Sequence, residues 1–455
     1  MRTGGRGPRA DSRKRRGPGS GQASAEATEA AEAPVPGRLL AICSSTSWGG
    51  TEKWCLRACE LLAERGWTVR LAVRNLELFE SRRTRPAARK PDQDASRPPA
   101  STRDANSRPG PDLARSGHPD RGRLEILPLP LRNDADLGSV LRLATLARGS
   151  DVVLATRVRD YWLGGLAARM AARPLLLRLG VIRPMRAGHW RDRVRYARLP
   201  SALIVNTGVI RDVLLRTPWF ARTPIHVVYN GVDAPGPVAA EERIRIRQRL
   251  AVAPEELLIV GAGRLAAEKR WDWLIDSARR LENASSDAPQ SREPQPPESQ
   301  ASQPPASRDP LAVRILGEGA ERPHLEARIA EHGLQGIVRL EGLRADTDDW
   351  LAAADLFVLS SRNEGISNAI LEAMGRGVPV VATRAGGIDE VARDGEHAFL
   401  AEVDDFEGFA HRILQACADP GLRREIGARG LALVRERLTW EAMAERLEEV
   451  LHGMM

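Results

Sequence analysis

Residues 355–383, DLFVLSSRNEGISNAILEAMGRGVPVVAT, decide the fold of the second half of the chain. Two apolar runs, 355–361 and 378–383, flank a stretch of helix-forming residues that begins near Ser367. Continuous apolar strands that alternate with helices are typical of parallel sheets covered on both faces, so this stretch predicts a strand–helix–strand unit. The unpaired amides at the start of its helix offer a place for an anion such as phosphate.

The same alternation extends along the rest of the chain, whose 455 residues exceed the size of one ordinary domain. In the first half we expect strands at 37–45, 68–74, 124–130, 151–156, 174–180, 202–207 and 225–233, and helices at 50–66 and 137–150. In the second half we expect further strands at 257–265, 311–319 and 337–342, and a helix at 271–281. The pattern predicts an α/β protein with two Rossmann-like, doubly wound domains that face each other across a ligand cleft.

Three segments have a composition that predicts disorder, because they carry too few apolar side chains to offset the entropy of ordering. They are a tail at 1–37 and surface inserts at 81–123 and 282–310, the last with seven prolines. We therefore expect an N-terminal domain at 38–235, a C-terminal domain at 236–436 and, at 437–455, an amphipathic helix.

The net charge of +8 is concentrated in two of these segments. Residues 1–20 and 81–123 each carry a net +6, which leaves about −4 for the rest and argues against a nucleic-acid partner. The basic tail either contacts anionic lipid or is simply solvated, and we favour the second. No apolar run approaches a membrane span, no signal peptide is recognisable, and four cysteines suit a reduced cytosolic setting.

Glu364 and Glu372 stand eight positions apart, the first on a turn before the helix and the second two turns inside it. That spacing returns both carboxylates to nearly one face. Glu372 is then suited to accept hydrogen bonds from a ribose diol, and Glu364 to contact what hangs from a phosphate at the helix N-terminus. Taken alone, the spacing also fits a capped surface helix with solvated glutamates.

Two cations, Arg264 and Lys269, follow the strand at 257–265. At the C-terminal edge of a parallel sheet they suit a diphosphate, whose leaving-group charge they would neutralise. Either cation by itself is more typical of a surface loop.

These motifs together resemble the large retaining glycosyltransferase family 4, which has the GT-B fold. The resemblance is carried by GRLAAEK (263–269), by the E-x7-E pair within the dense block 342–400, and by SWGGTEKW (47–54). It implies that Arg264 and Lys269 bind the donor diphosphate, that Glu364 lies by the donor sugar and that Glu372 binds the ribose. It also implies further donor contacts from Gly49, Gly50, Leu343, Gly365, Ile366, Ser367 and Asn368, with Leu343 reading the base.

The resemblance further implies that the N-terminal domain takes the acceptor, that the C-terminal domain takes the nucleotide-sugar, and that the last helix crosses back onto the first domain. Members of the family retain anomeric configuration and need neither metal nor cofactor. The acidic TDDW at 347–350 is interpreted as a helix start rather than a metal site.

One segment departs from the family pattern. ATRVRDYW (155–162) has Thr156 and Arg157 where many members carry histidines, and Asn206 stands where serine is common. Arg157, Arg183 and His189 are candidate acceptor-side residues, with Arg159, Arg178 and Arg186 nearby in sequence. The arginines either grip an anionic acceptor or reflect heavy arginine use throughout the chain, and the sequence leaves both open.

The expected function is a retaining, metal-independent transfer of a sugar from an NDP-sugar, with UDP favoured, to a cell-envelope lipopolysaccharide or polysaccharide acceptor. Such an enzyme would act in the cytoplasm, with peripheral contact to the anionic inner face of the membrane as an added expectation. Two alternatives are an NDP-sugar epimerase or phosphorylase, and a degenerate GT-B protein that binds nucleotide without turnover.

Overall fold

The chain builds two parallel β-sheets, one after the other along the sequence. The computed structural model describes residues 35–83, 122–129, 136–181, 190–286 and 310–455. Most of the predicted tail and of the two inserts lies outside these described residues, so the expectation that they are disordered stays a prediction. Residues 36–455 form one compact unit that contains both sheets.

The first sheet has seven strands in the order β3-β2-β1-β4-β5-β6-β7, and all of its pairings are parallel. These strands are β1 (Arg38–Cys43), β2 (Thr68–Val73), β3 (Arg123–Pro128), β4 (Val152–Ala155), β5 (Leu175–Leu179), β6 (Ala202–Val205) and β7 (Ile225–Val227).

The second sheet has six strands in the order β10-β9-β8-β11-β12-β13, again all parallel. They are β8 (Leu257–Ala262), β9 (Leu311–Leu316), β10 (Val338–Gly342), β11 (Leu356–Leu359), β12 (Val380–Thr383) and β13 (Phe399–Ala401). The expected α/β class with two Rossmann-like domains is confirmed. The short strand β13 was not predicted from the sequence.

Helices connect the strands within each half. The first half has α1 (Gly50–Glu64), α2 (Leu76–Glu80), α3 (Leu137–Arg148), α4 (Val158–Met170), α5 (Trp190–Arg193) and α6 (Gly208–Leu215). The second half has α7 (Ala240–Arg249), α8 (Trp271–Ser286), α9 (Arg322–Glu331), α10 (Thr347–Ala353), α11 (Asn368–Gly375), α12 (Ile388–Val391), α13 (Phe406–Ala418), α14 (Pro420–Arg437) and α15 (Trp440–His452).

Helix α8 continues to Ser286, five residues beyond the predicted end at Leu281. The prediction stopped where apolar residues stop, but a helix needs only backbone hydrogen bonds to continue, and Glu, Asn, Ala and Ser allow them. The second insert therefore begins later than the predicted boundary at 282.

The strands are buried on both faces because helices cover both sides of each sheet. In β1 the side chains alternate between two apolar clusters: Leu39 and Ala41 belong to one, Leu40 and Ile42 to the other. All four are fully buried. This period of two within a continuous apolar run is what a doubly covered parallel strand requires.

Helix α15 packs on the first sheet although it follows the second sheet in sequence. Trp440, Met443 and Leu447 share a buried cluster with α1 residues, including Trp54. Glu448 of α15 accepts a hydrogen bond from the indole Nε1 of Trp67 at 2.8 Å. The last helix thus ties the two halves of the chain together.

Strand order reverses beside β1 in the first sheet and beside β8 in the second. At such a point the loops after adjacent strands leave in opposite directions and open a crevice at the C-terminal edge of the sheet. Among the described residues, no helix combines the length and apolar character needed to cross a bilayer.

Candidate active site

A cleft with a cavity volume of about 970 Å³ lies where the C-terminal edges of the two sheets meet. Its walls include nine of the predicted site residues: Gly50, Arg157, Arg264, Lys269, Glu364, Gly365, Ile366, Ser367 and Asn368. Three others, Gly49, Leu343 and Glu372, are not part of its lining. Two more, Arg183 and His189, lie outside the residues that the structure describes.

Lys269 and Glu364 meet within the cleft. The Lys269 ammonium donates to Glu364 Oε1, and Ser361 Oγ donates to the same oxygen at 2.8 Å. The two side chains are only 15% and 16% exposed, so solvent screens their pairing less than it would at a surface. The predicted leaving-group cation and the predicted sugar-side carboxylate are therefore neighbours, although 95 residues separate them in sequence.

Arg264 lies on the rim of the same wall. Its side chain is 69% exposed and pairs with Glu268 at 2.7 Å, one turn further along. Its carbonyl accepts a hydrogen bond from Trp271 Nε1 at 3.0 Å, which fixes the loop after β8. The backbone is thus held while the guanidinium is placed to exchange Glu268 for a ligand.

Two helix N-termini, one from each domain, border the cleft. Helix α11 begins after Ser367, and α1 begins after Gly49; neither capping residue makes a side-chain cap hydrogen bond. They lie close, since a Cβ atom on Gly50 would stand 3.1 Å from Asn368 Nδ2. The uncapped amides and the positive ends of both helix dipoles therefore lie close to each other, which favours an anion there.

Glu372 is bound by a residue that the sequence reasoning missed. Lys53 Nζ of α1 donates to Glu372 Oε1 of α11 at 2.6 Å, with side chains 40% and 28% exposed. Lys53 lies one turn beyond Gly50 in the GGTEK motif, and this helical spacing is the signal that could have identified it. The predicted ribose carboxylate therefore already contacts the opposite domain.

The turn that carries Glu364 packs closely against both domains, and two glycines permit this. A Cβ on Gly365 would lie 2.6 Å from the carbonyl oxygen of Gly180, in the loop after β5. Gly386 adopts φ +72°, and a Cβ there would lie 2.3 Å from the carbonyl oxygen of Glu364. Only residues without a side chain permit both close approaches.

A buried chain of polar contacts links the first sheet to the start of α11. Arg178 of β5 lies over the Trp54 ring at 4.2 Å, and its Nη2 donates to Asn230 Oδ1 at 3.0 Å. Asn230 Nδ2 donates in turn to Asn368 Oδ1 at 2.8 Å. Burial lowers the pKa of Arg178 to about 10, which leaves it charged at neutral pH.

Arg157 is the capping residue of α4 and is fixed by partners behind it. Its Nη1 donates to Glu52 Oε1 and, at 2.7 Å, to Ser45 Oγ. Glu52 is 3% exposed, and a carboxylate so deeply buried requires a partner of this kind. Neighbouring Thr156, which also lines the cleft, donates its hydroxyl to the Ile42 carbonyl at 3.1 Å and so ties β4 to β1.

Asp160, in the first turn of α4, is fully buried beneath this cluster. Its Oδ2 accepts from the Ser44 amide at 3.2 Å, whereas Oδ1 has no hydrogen-bond partner among the described residues. Burial raises the pKa of Asp160 to about 7, against the hydrogen bonds and the Arg157 charge that act to lower it.

The structure also shows the surroundings of Leu343 and Asn206, two further residues that the sequence analysis named. Leu343 is 82% exposed and follows Gly342, whose φ is +73° and whose carbonyl accepts from the Gly317 amide at 2.7 Å. Asn206 is 3% exposed beside Gly365, and its Oδ1 has no hydrogen-bond partner in the part of the chain that the structure describes. Asn206 thus marks the contact between the domains.

Within the described parts of the chain, no group of three or more His, Cys, Asp or Glu side chains is arranged to hold a metal ion. In the acidic TDDW segment, Asp348 pairs with Arg376 and Asp349 with Arg249. These carboxylates bind arginines on neighbouring elements.

Known proteins share both the fold and the C-terminal sequence. Residues 256–419 match the family model described as glycosyl transferases group 1. The chain is 28% identical over 272 residues to the lipopolysaccharide core biosynthesis glycosyltransferase LpsE of Rhizobium meliloti, covering 60% of this chain and 70% of LpsE. It is 31% identical over 255 residues to mannosylfructose-phosphate synthase of Agrobacterium fabrum, covering 55% of this chain but only 52% of that protein.

Among solved structures, Anabaena Alr3699/HepE in complex with UDP and glucose superposes with a TM-score of 0.68. The match covers 92% of this chain and all of HepE at 21% identity, which establishes the fold. The chain therefore has the two-domain fold of GT-B glycosyltransferases, and its C-terminal domain is similar in sequence to the group 1 glycosyl transferases.

Proposed function

We propose that this protein transfers a sugar, with retention of anomeric configuration, from an NDP-sugar to a lipopolysaccharide or polysaccharide acceptor of the cell envelope. The observation that carries the proposal is the convergence of the α1 and α11 N-termini beside the Lys269–Glu364 pair. That arrangement suits a diphosphate joined to a sugar.

In the proposed complex the diphosphate lies between the two helix N-termini. Lys269 exchanges Glu364 for a phosphate oxygen and neutralises the charge that develops on the leaving group. Glu364, released from Lys269, accepts hydrogen bonds from the sugar hydroxyls. Glu372 exchanges Lys53 for the ribose diol. Both carboxylates are thus kept paired until the donor replaces the lysines.

The reaction forms a bond from the acceptor oxygen to the anomeric carbon and breaks the bond from that carbon to the β-phosphate oxygen. Retention without a protein nucleophile follows when the acceptor attacks from the face that the phosphate leaves. The departing phosphate then takes the acceptor proton. Lys269 and the amides of α11 stabilise this phosphate, and Glu364 stabilises the positive charge on the sugar ring.

The choice of donor and acceptor rests on the relatives. HepE, whose fold this chain shares, is described in complex with UDP and with UDP-glucose, which supports UDP as the nucleotide. LpsE and LpsD of Rhizobium meliloti are named as lipopolysaccharide core biosynthesis glycosyltransferases, which supports an envelope glycan as acceptor. No metal or cofactor enters the proposed mechanism.

A second candidate is a protein that binds the nucleotide without turnover. The observation that favours it is Arg157, which occupies an expected histidine position and is held by buried Glu52. A guanidinium offers hydrogen-bond donors and no acceptor, so an arginine here does not replace a histidine as general base.

One experiment separates the two. The purified protein is screened by thermal shift against UDP- and GDP-sugars, and the donors that bind are then tested for nucleotide release. A transferase releases UDP slowly by hydrolysis and faster with an acceptor, and NMR of the product gives its anomeric configuration. A thermal shift without any nucleotide release would favour the binder, and an inverted product would rule out retention.

A further inference from the structure

The charge of the cleft is unevenly divided between its two walls. The described part of the wall from the first domain contains four arginines: Arg74, Arg157, Arg159 and Arg178. Among the described lining residues, that wall has no aspartate or glutamate. The two carboxylates among the described lining residues, Glu268 and Glu364, belong to the second domain, and each already pairs with a cation of its own wall.

The donor accounts for only part of this positive charge. The diphosphate of an NDP-sugar carries two negative charges and, in the proposed complex, meets Lys269 and Arg264. Arg178 is near the same place, because Asn230 connects it to Asn368 at the start of α11. The proposed complex assigns no donor contact to Arg74 or to Arg157, although Arg157 bonds Glu52 in the first turn of α1.

Arg74 and Arg157 flank the loop that follows β1. Arg74 comes directly after β2, and Arg157 follows β4 by two residues. The sheet order puts β2 and β4 on either side of β1. Neighbouring strands are about 4.8 Å apart, so two such strand ends are roughly 10 Å apart, a span that long arginine side chains bridge around one anion.

The Arg157 guanidinium is positioned to bind a ligand. Glu52 and Ser45 both engage its Nη1, and its Nε and Nη2 have no hydrogen-bond partner among the residues described. The side chain is 41% exposed, toward the cleft. Arg74 makes no ion pair with any described residue. A solvated arginine of no particular function would not need a buried glutamate to orient it.

We propose that the acceptor carries an anionic group, a phosphate or a carboxylate, that binds between Arg74 and Arg157 while Glu52 positions Arg157. Arg159 adds positive charge to the same wall. This inference rests on the proposed function and adds the chemical class of the acceptor. The bidentate fork of a guanidinium matches a phosphate as well as a carboxylate, and both arginines line the wall of the first domain.

The test uses inorganic phosphate and acetate as probes, titrated by calorimetry into the full-length protein after its nucleotide site is saturated with UDP. Saturation is verified by UDP titration of every variant. We expect saturable phosphate or acetate binding in the wild type. Arg74→Gln weakens it about tenfold, as expected for the loss of a charge-assisted contact. The matched control is Arg142→Gln, which removes the same charge from the exposed face of α3.

Arg157→Lys complements this test, because it keeps the charge that buried Glu52 needs but removes the fork. We expect it to weaken binding of the same anion. If neither anion binds the UDP complex, or if Arg74→Gln and Arg142→Gln bind equally well, the anionic acceptor is wrong while the donor assignment stands. If UDP itself fails to bind the wild type, the proposed function and this inference fall together.

Discussion

Each carboxylate that we assign to the donor is already paired with a lysine. Glu364 holds Lys269 of its own domain, and Glu372 holds Lys53 of the opposite one. Because an unpaired carboxylate in a partly buried site is costly, the lysines keep the site stable before the ligand arrives. Donor binding is then an exchange of partners rather than the filling of an unpaired site.

The two glutamates should respond differently to substitution. Glu372 meets a ribose that changes little during the reaction, so Glu372→Gln raises the donor KM, by roughly tenfold, more than it lowers kcat. Glu364 lies where positive charge develops, so Glu364→Gln lowers kcat with a modest change in KM. Steady-state kinetics at varied donor concentration measure both constants.

Glu331→Gln, on the exposed end of α9, serves as the control for loss of a carboxylate far from the cleft. If the two active-site substitutions change KM and kcat equally, our assignment of Glu364 to the sugar and of Glu372 to the ribose is wrong.

Lys53 gives a second prediction at this scale. The Lys53–Glu372 pair must open before Glu372 takes the ribose, so the lysine competes with the donor. Since the pair is partly exposed, we expect Lys53→Met to lower the Kd for UDP only about twofold to fivefold. Calorimetry measures it directly. Weaker UDP binding in this variant would show instead that Lys53 itself contacts the nucleotide.

At the scale of elements, one carboxylate joins the two domains at a helix end. Glu390 of α12 accepts hydrogen bonds from the amides of Gly208 and Val209 at 2.6 and 2.7 Å, at the N-terminus of α6. Tyr229 donates its hydroxyl to the same carboxylate at 3.1 Å. Burial, with the Glu390 charge beside it, raises the pKa of Tyr229. The negative charge also suits the positive end of the α6 dipole.

Glu390→Ala should therefore destabilise the protein by about 1–3 kcal/mol, because it leaves two amides at a domain contact without their acceptor. Thermal unfolding followed by circular dichroism shows this as a midpoint lowered by a few degrees. Glu331→Ala, which removes an exposed carboxylate from α9, is the matched control and should change little. The same midpoint for both variants would mean that the α6 contact adds no stability.

Asp160, in the first turn of α4, makes the folding stability of the protein depend on pH. The pKa of Asp160 is raised from an ordinary value of 3.8 to about 7, so the folded state holds this proton more tightly than the unfolded chain. The stability from this group is complete below about 3.8, falls as the pH rises through the interval, and is lost above about 7.

Asp160→Asn lacks this titration. As the pH rises from 5 to 8, the melting temperature of the variant should therefore rise relative to that of the wild type. A pH-independent offset between the two proteins does not affect this prediction. Melting curves of both proteins across this range measure the difference. A difference that stays constant over the whole interval would contradict the raised pKa.

Much of the element scale follows from the sequence, for a physical reason. A doubly covered parallel strand is a continuous apolar run, and the helices between such runs have their own period, so local pattern suffices to predict the order of strands and helices. The local pattern did not predict β13, because Phe399–Ala401 is a run of only three residues and cannot be distinguished from a loop. It ended α8 early because polar residues also continue a helix.

The contacts of the site follow from the sequence only in part. Glu364, Lys269 and the α11 N-terminus are recognisable because they form local motifs at fixed spacing. Lys53, Glu390 and the Arg178–Asn230 link are not, because each contacts a partner far away in the chain. Such pairs become visible only once the two sheets are placed against each other.

At the scale of the whole molecule, function depends on the two domains sharing one ligand. The first domain supplies the α1 N-terminus, Lys53 and the arginines that line its wall of the cleft. The second domain supplies α11, Lys269 and both glutamates. Helix α15 packs beside α1 and Glu390 bonds the N-terminus of α6, and these contacts add to those within the cleft that join the two domains, such as Lys53–Glu372 and Asn230–Asn368. Neither domain alone forms the proposed donor site.

If the diphosphate lies between α1 and α11 with Lys269 on its leaving group, two cations and two helix ends suffice without a metal. The most direct measurement is donor turnover in the presence of EDTA, for the wild type and for Lys269→Ala, with correct folding of both verified by circular dichroism. We predict that EDTA leaves wild-type turnover unchanged and that Lys269→Ala lowers kcat by roughly 10²–10³. Undiminished turnover in Lys269→Ala, or wild-type activity that is lost in EDTA and restored by magnesium or manganese, would contradict this assignment.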